Sequence, residues 1–283
     1  MGLFDWLTGK KSASAQAPEI ERPNMQLAFV LLSEPRLPAA AEIQTAFSEF
    51  GAPGQTLTES RDEDGESKSD HGKEVLMLDV DGAGVAFVML VPAPVPNGEA
   101  EASRDYSLGA FQGEERPPDH AAHLVVTMTV DDDATPTQGM IAFTALLAGV
   151  AKASPCTEIY CGNAGATHPR DLFLSLAAED PGEIGAKIML WNGVSRAMEP
   201  DGRVSMLSKG MHQIALPNLY LVVSQEGASD AFAWMWDILG YVAGRGEAIP
   251  AGDTIGASEN QFIQVNYVNS PADDGSVVWK IEM

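Results

Sequence analysis

Apolar residues fall in short runs along most of the chain, and their period switches between two and roughly three and a half at recognisable places. The run MQLAFVLLS, 25–33, is apolar at nearly every position, the pattern of a central strand covered on both faces. Ile43, Phe47 and Phe50 then recur at helical spacing, which predicts a helix from Leu37 that stops at Gly51. Residues 74–80 and 84–91 flank Asp81, Gly82 and Ala83 as the two arms of a hairpin. Between helix and hairpin, 52–73 is polar, acidic and glycine-rich, so it reads as a long loop, either mobile or acting as a lid. Residues 92–119 are proline-rich and acidic, with one short helix expected around Glu99 to Leu108.

The stretch His120 to Gly165 has the outline of a βαβ unit: an apolar strand, an acidic turn, an amphipathic helix, a second strand at Thr157–Cys161 and a glycine-containing loop. Its helix is the best marked in the chain. Thr135 is an N-cap, Pro136 takes the first helical position, and Gln138 completes a capping box. Met140, Phe143, Leu147 and Val150 run down one side, and Pro155 ends the element. A shorter helix follows from Pro169 to Glu179. With a strand at 124–130, the order over 25–133 matches a ferredoxin-like βαββαβ module.

The last third is strand-rich. Ala186–Arg196, Val204–Ser208 and Leu219–Ser224 are strand candidates, as are Gln261–Val268 and Ser276–Ile281. Ser229 is placed to cap a helix over Asp230–Ala243 that is apolar nearly all round, hence sandwiched between layers. The expected fold class is α+β, with two ferredoxin-like or related βα modules and mostly antiparallel sheets. The expected organisation is an arm and linker at 1–24, a first module at 25–133 and a second at 134–283.

Composition narrows the partners. A chain of 283 residues suits one large or two ordinary domains, and its formal charge of −23 repels phosphate backbones. Nucleic acid is therefore not an expected ligand, whereas a basic protein partner is compatible with that surface. Cys156 and Cys161 are the only cysteines, and their odd spacing in a strand points them to opposite faces, away from a disulfide. Free thiols and the lack of a transmembrane-length apolar run or a signal peptide make a reducing cytoplasm the expected location. The N-terminal piece sets Leu3, Phe4, Trp6 and Leu7 ahead of Lys10 and Lys11, which suits a terminal arm on a linker or docking on a membrane surface or a partner.

Candidate chemistry concentrates in the loop that follows the second strand of the βαβ unit. There the backbone amides of Gly162 and Gly165 lie where an anion can be held between a strand and a helix start, with Asn163, Thr167, His168 and Arg170 as side-chain donors. Neither P-loop nor dinucleotide-fingerprint spacing is present, and no cofactor is expected. His120 and His123 suggest a metal pair, with Cys161 or His212 to complete a shell. On a strand, however, three-residue spacing sends them to opposite faces, and core or edge histidines are expected instead. Asp131, Asp132 and Asp133 precede a helix start and are read as dipole-compensating, solvated carboxylates. Ser195, in Gly193-Val194-Ser195-Arg196, lacks a nucleophile elbow, and Trp234, Trp236 and Tyr241 are expected in the core.

The phrases HAAHLVVTMTV, IYCGNAGATHPRDLF, SKGMHQIALPNLYL and GDTIG resemble a bacterial family of uncharacterised proteins, the domain of unknown function 4261. The resemblance covers roughly the second half of the chain and implies a fold without any catalytic residue. The expected function is a non-enzymatic, cytoplasmic, acidic interaction module that neutralises a basic partner as immunity proteins do. The alternative is a small-molecule binder or enzyme using Gly162–Arg170.

Overall fold

The structure, a computed structural model, describes residues 17–23, 25–113, 116–256 and 263–282. The N-terminal apolar and lysine residues 3–11 lie outside the described residues. The chain divides into two compact units, Pro23–Gly193 and Val194–Met283, with residues 17–22 grouped with the second.

The first unit contains β1 (Gln26–Leu32), α1 (Ala40–Phe47), β2 (Leu57–Glu59), β3 (Val75–Val80), β4 (Gly84–Val91), α2 (Glu99–Ala102) and α3 (Leu108–Gln112). It continues with β5 (Ala122–Val130), α4 (Pro136–Ala153), β6 (Cys156–Cys161), β7 (Ala166–Pro169) and α5 (Arg170–Ala178). Its seven strands form one sheet in the order β2-β3-β4-β5-β1-β6-β7, with antiparallel pairing throughout. Because β1 lies between β5 and β6, the β5–α4–β6 crossover spans it, and the βαβ outline is present in split form. The α+β class with mostly antiparallel sheets holds. The strand order is a β3–β4–β5 meander joined to that crossover, rather than the interleaved order of a ferredoxin-like module. The pairing of β6 with β1 also carries the first unit on to Gly193, so its end is not at 133.

α4 begins as its sequence predicts. Thr135 Oγ1 accepts from the Gln138 amide at 3.2 Å, and Gln138 Oε1 accepts from the Thr135 amide at 2.9 Å. From Gly139 to Val150 and on to Ala151 the helix is buried at every position, packed against α1, α5 and the sheet. Gly149 makes the α1 contact possible, since a Cβ there would stand 3.1 Å from Phe47 Cα and N. At the far end of α5 the buried Lys187 ammonium donates to the Glu179 and Asp180 carbonyls, which have no partner within the helix.

Two segments differ from their sequence reading. Residues 52–73 are not a structureless loop: β2 pairs with β3, Arg61 bridges Ser67, and 71–73 form a single 3-10 turn. Asp62 Oδ1 accepts from the amides of Asp64 and Glu66, which turns this acidic stretch into an ordered margin of the sheet. Residues 186–196 are not one strand, because a 3-10 turn over Gly185–Met189 precedes the strand.

The second unit contains β8 (Gly193–Met198, from its second residue), β9 (Val204–Lys209), β10 (Leu219–Val223), α6 (Ala228–Arg245), β11 (Thr254–Ile255), β12 (Ile263–Gln264), β13 (Asn266–Asn269) and β14 (Val277–Glu282). Five of these form a sheet in the order β13-β14-β10-β9-β8. β10 and β14 run parallel with α6 in the connection between them, again a βα pattern. The N-cap of α6 is Gly227, not Ser229. The helix is also less sandwiched than its composition predicts: Met235, Trp236, Leu239 and Val242 are buried, whereas Ala233 and Asp237 are exposed.

Candidate functional site

The stretch Gly162–Gly165 turns the hairpin between β6 and β7 instead of leading from a strand into a helix. Ala164 and Gly165 donate their amides to the Cys161 carbonyl at 3.0 and 2.8 Å, so these amides serve the turn. Asn163 Nδ2 reaches Gln26 Oε1 at 3.5 Å. β7 then separates the next two candidates, because neighbours in a strand point to opposite faces. Thr167 Oγ1 donates to the Ala100 carbonyl at 2.6 Å, on the face covered by α2. His168 is buried on the other face, 3.2 Å from the Leu190 carbonyl and beside the Phe173 ring. Burial brings its pKa down to about 4 despite the opposing pull of that carbonyl, so it is neutral at pH 7.

Arg170 opens α5, pairs with Asp171 at 2.8 Å, and lines a cavity of about 610 Å³ together with Cys156 and Thr157. Of the six residues read from the sequence, Arg170 alone lines it; Gly162, Asn163, Gly165, Thr167 and His168 do not converge there. Cys156 and Cys161 are free, and burial pushes both thiols up, that of Cys161 to about 12.

The histidine pair lies closer than strand alternation predicts. His120 precedes β5, and its ring centre is 6.4 Å from that of His123. The Val95 amide donates to His120 Nε2 at 2.8 Å, which leaves the ring proton on Nδ1, 2.8 Å from Glu101 Oε1. His123 Nδ1 lies 2.8 Å from the Ala93 carbonyl, and burial lowers its pKa. Together the two rings pin segment 93–95 to the start of β5. His212 belongs to the 3-10 turn Met211–Ile214, where burial, and then the charge of Lys209, lower its pKa. Among the described residues no group of three or more His, Cys, Asp or Glu is arranged to hold a metal ion.

Asp131, Asp132 and Asp133 are exposed in the turn after β5, where the Asp131 amide donates to the Ala83 carbonyl. That bond sets them beside Asp81 at the tip of the β3–β4 hairpin. Ser195 lies within β8. Trp236 is buried with its ring edge-on to Phe232, while Trp234 and Tyr241 are half-buried.

Two features escaped the sequence reading. One is the buried pair of Arg104 with Glu158, which ties the segment between β4 and β5 to β6. A glutamate within the apolar strand TEIYC was its visible signal. The other is the sheet face opposite the main helices. The 92–112 segment covers it near Leu31 and Tyr160, where Val95 and Ala100 pack. Farther along, Phe87 and Met89 on β4 remain exposed.

No helix among the described residues is long and apolar enough to cross a membrane. Residues 207–282 match the model of a protein family described as a domain of unknown function, DUF4261. The match runs from β9 to β14 within the second unit, and the phrases at 120–173 lie outside it. No curated protein and no solved structure matches the chain.

Proposed function

We propose that this protein is a non-enzymatic acidic interaction module that binds and neutralises a basic protein partner, in the manner of an immunity protein. The observation that carries this reading is the ordered acidic margin of the seven-stranded sheet. Asp62, Glu63, Asp64 and Glu66 are exposed in the turn that follows β2, which the Arg61–Ser67 bridge closes and backbone bonds to Asp62 hold. Asp81 and Asp131–Asp133 are exposed at the hairpin end of the same sheet. Carboxylates arranged on a fixed framework attract a cationic surface without first losing conformational freedom. Two free thiols support action in a reducing cytoplasm.

Capture from lysate of the source cells, followed by elution with rising salt, tests the reading. A basic protein released as salt screens the carboxylates is the expected result. Recovery of no salt-sensitive basic partner would count against it.

A further inference from the structure

β4 reads Gly-Val-Ala-Phe-Val-Met-Leu-Val and is apolar on both of its alternating sets. An antiparallel strand with one face in water ordinarily alternates apolar with polar residues. One set, Ala86, Val88 and Leu90, is buried; the other carries Phe87 at 40% and Met89 at 38% exposure. The neighbouring strands continue this second set. Met77 lies across from Phe87, while Val125 lies across from Met89 and Phe29 in turn from Val125. Met77, Val125 and Phe29 are half-buried. On β5 the polar Thr127 and Thr129 lie across from Phe87 and Val85, and Phe29 already packs against Leu31 and Tyr160, so the uncovered apolar part of the face centres on Met77, Phe87, Met89 and Val125.

We propose that this open face of β3, β4 and β5 is a docking surface for a cationic amphipathic helix of a partner protein. The proposal rests on the acidic-module reading and specifies where and how the basic partner sits. All three strands are hydrogen-bonded on both sides, so the face offers side chains and no free strand edge, which excludes docking by strand addition. Same-face residues recur about every 7 Å along a strand, so a helix roughly 10 Å wide spans two rows of them. Asp79 stands on this face, with Asp81 and Asp131–Asp133 at its hairpin end. A helix with an apolar stripe flanked by lysine or arginine matches both parts, its stripe on Phe87 and Met89 and its charges on the carboxylates. A second copy fits poorly, because each chain carries −23 and would present the same acidic margin.

The test titrates the full chain with a synthetic leucine–lysine peptide whose leucines fall at helical spacing, alongside a scrambled peptide of identical composition. The amphipathic peptide is expected to bind at least about tenfold more tightly and to slow hydrogen exchange in 75–91 and 122–130. Phe87→Thr with Met89→Thr, a change that keeps strand-favouring residues, should bring its affinity down to that of the scrambled peptide. The variant D131N/D132N/D133N leaves the apolar face intact and should weaken both peptides. Equal, salt-sensitive binding of the two peptides would overturn the docking surface and leave the acidic-module reading standing, whereas binding of neither would overturn both. Tight binding unaffected by the Phe87 and Met89 changes would place the site elsewhere. A dimer dispersed by Phe87→Thr would assign the face to a second copy. Tighter peptide binding after removal of residues 1–16 would assign it to the chain's own N-terminal segment. Either of these last results overturns the proposal.

Discussion

Arg104 and Glu158 form a bidentate ion pair inside the first unit, with Nε 2.9 Å from Oε1 and Nη2 2.7 Å from Oε2. Both residues are buried, while a second carboxylate, Asp119 at 3.5 Å from Arg104 Nη1, is open to water. Burial raises the Glu158 carboxyl above its ordinary range while the guanidinium pulls it down, so the carboxylate depends on its partner. The pair joins two segments that no backbone ladder connects, and the Thr167–Ala100 bond lies on the same side of the sheet.

Removing one partner should therefore cost far more than removing both. Arg104→Met is expected to destabilise by about 3–5 kcal/mol, because it leaves a buried carboxylate unpaired. Arg104→Met combined with Glu158→Leu should recover most of that loss. Urea unfolding of the two single variants and the double variant measures the difference.

Acid should weaken the fold through His168. The pKa of this group is about 4 in the folded chain against roughly 6.5 for an unfolded histidine, so the unfolded state binds the extra proton between those values. Its contribution is present above about pH 6.5 and is lost as pH falls towards 4, amounting to roughly 3 kcal/mol. His123 and His212, also lowered by burial, act in the same direction. Unfolding followed from neutral pH to pH 4 should show this slope, and His168→Phe should flatten it.

Gly84 should resist substitution. Its φ is +150°, and a Cβ there would stand 2.0 Å from the Thr129 carbonyl oxygen on β5. Gly84→Ala is expected to cost at least about 2 kcal/mol, since neither the backbone nor the partner strand can yield. Gly82, at φ +64° with open space around it, provides the comparison. Gly82→Ala should cost only about 1 kcal/mol, the ordinary left-handed penalty. Thermal melts of the two variants separate the cases.

The thiols should be unreactive while the chain is folded. Burial pushes Cys156 and Cys161 well above the usual thiol range, which leaves almost no thiolate at pH 8. Ellman's reagent should react slowly with the native protein and titrate both cysteines in urea. Cys161 is half-buried as a residue and Cys156 buried, so fast reaction of Cys156 under native conditions is the result that would contradict this burial.

Local features were legible from residues alone. The Thr135–Gln138 box starts α4 where its sequence places it, and the Asp81–Gly82 turn joins β3 to β4. The hairpin at Gly162–Gly165 was not legible, because a four-residue strand holding two polar residues, Thr167 and His168, looks like a loop. Those two residues then face opposite sides of the sheet, which dissolves the cluster that their adjacency in the chain suggests.

The chain by itself determined the α+β class, most strands, the capped helix and the acidic character of 59–66. Periodicity, caps and charge are properties of neighbouring residues, and no distant segment is needed to express them. Tertiary structure decided that β1 lies between β5 and β6, that His120 and His123 meet over segment 93–95, and that Arg104 finds Glu158. It also decided that Phe87 and Met89 stay uncovered while equally apolar residues of the same strand are buried. Strand order, register and cover come from segments far apart in sequence, and a side chain's own neighbours carry no record of which distant segment packs over it.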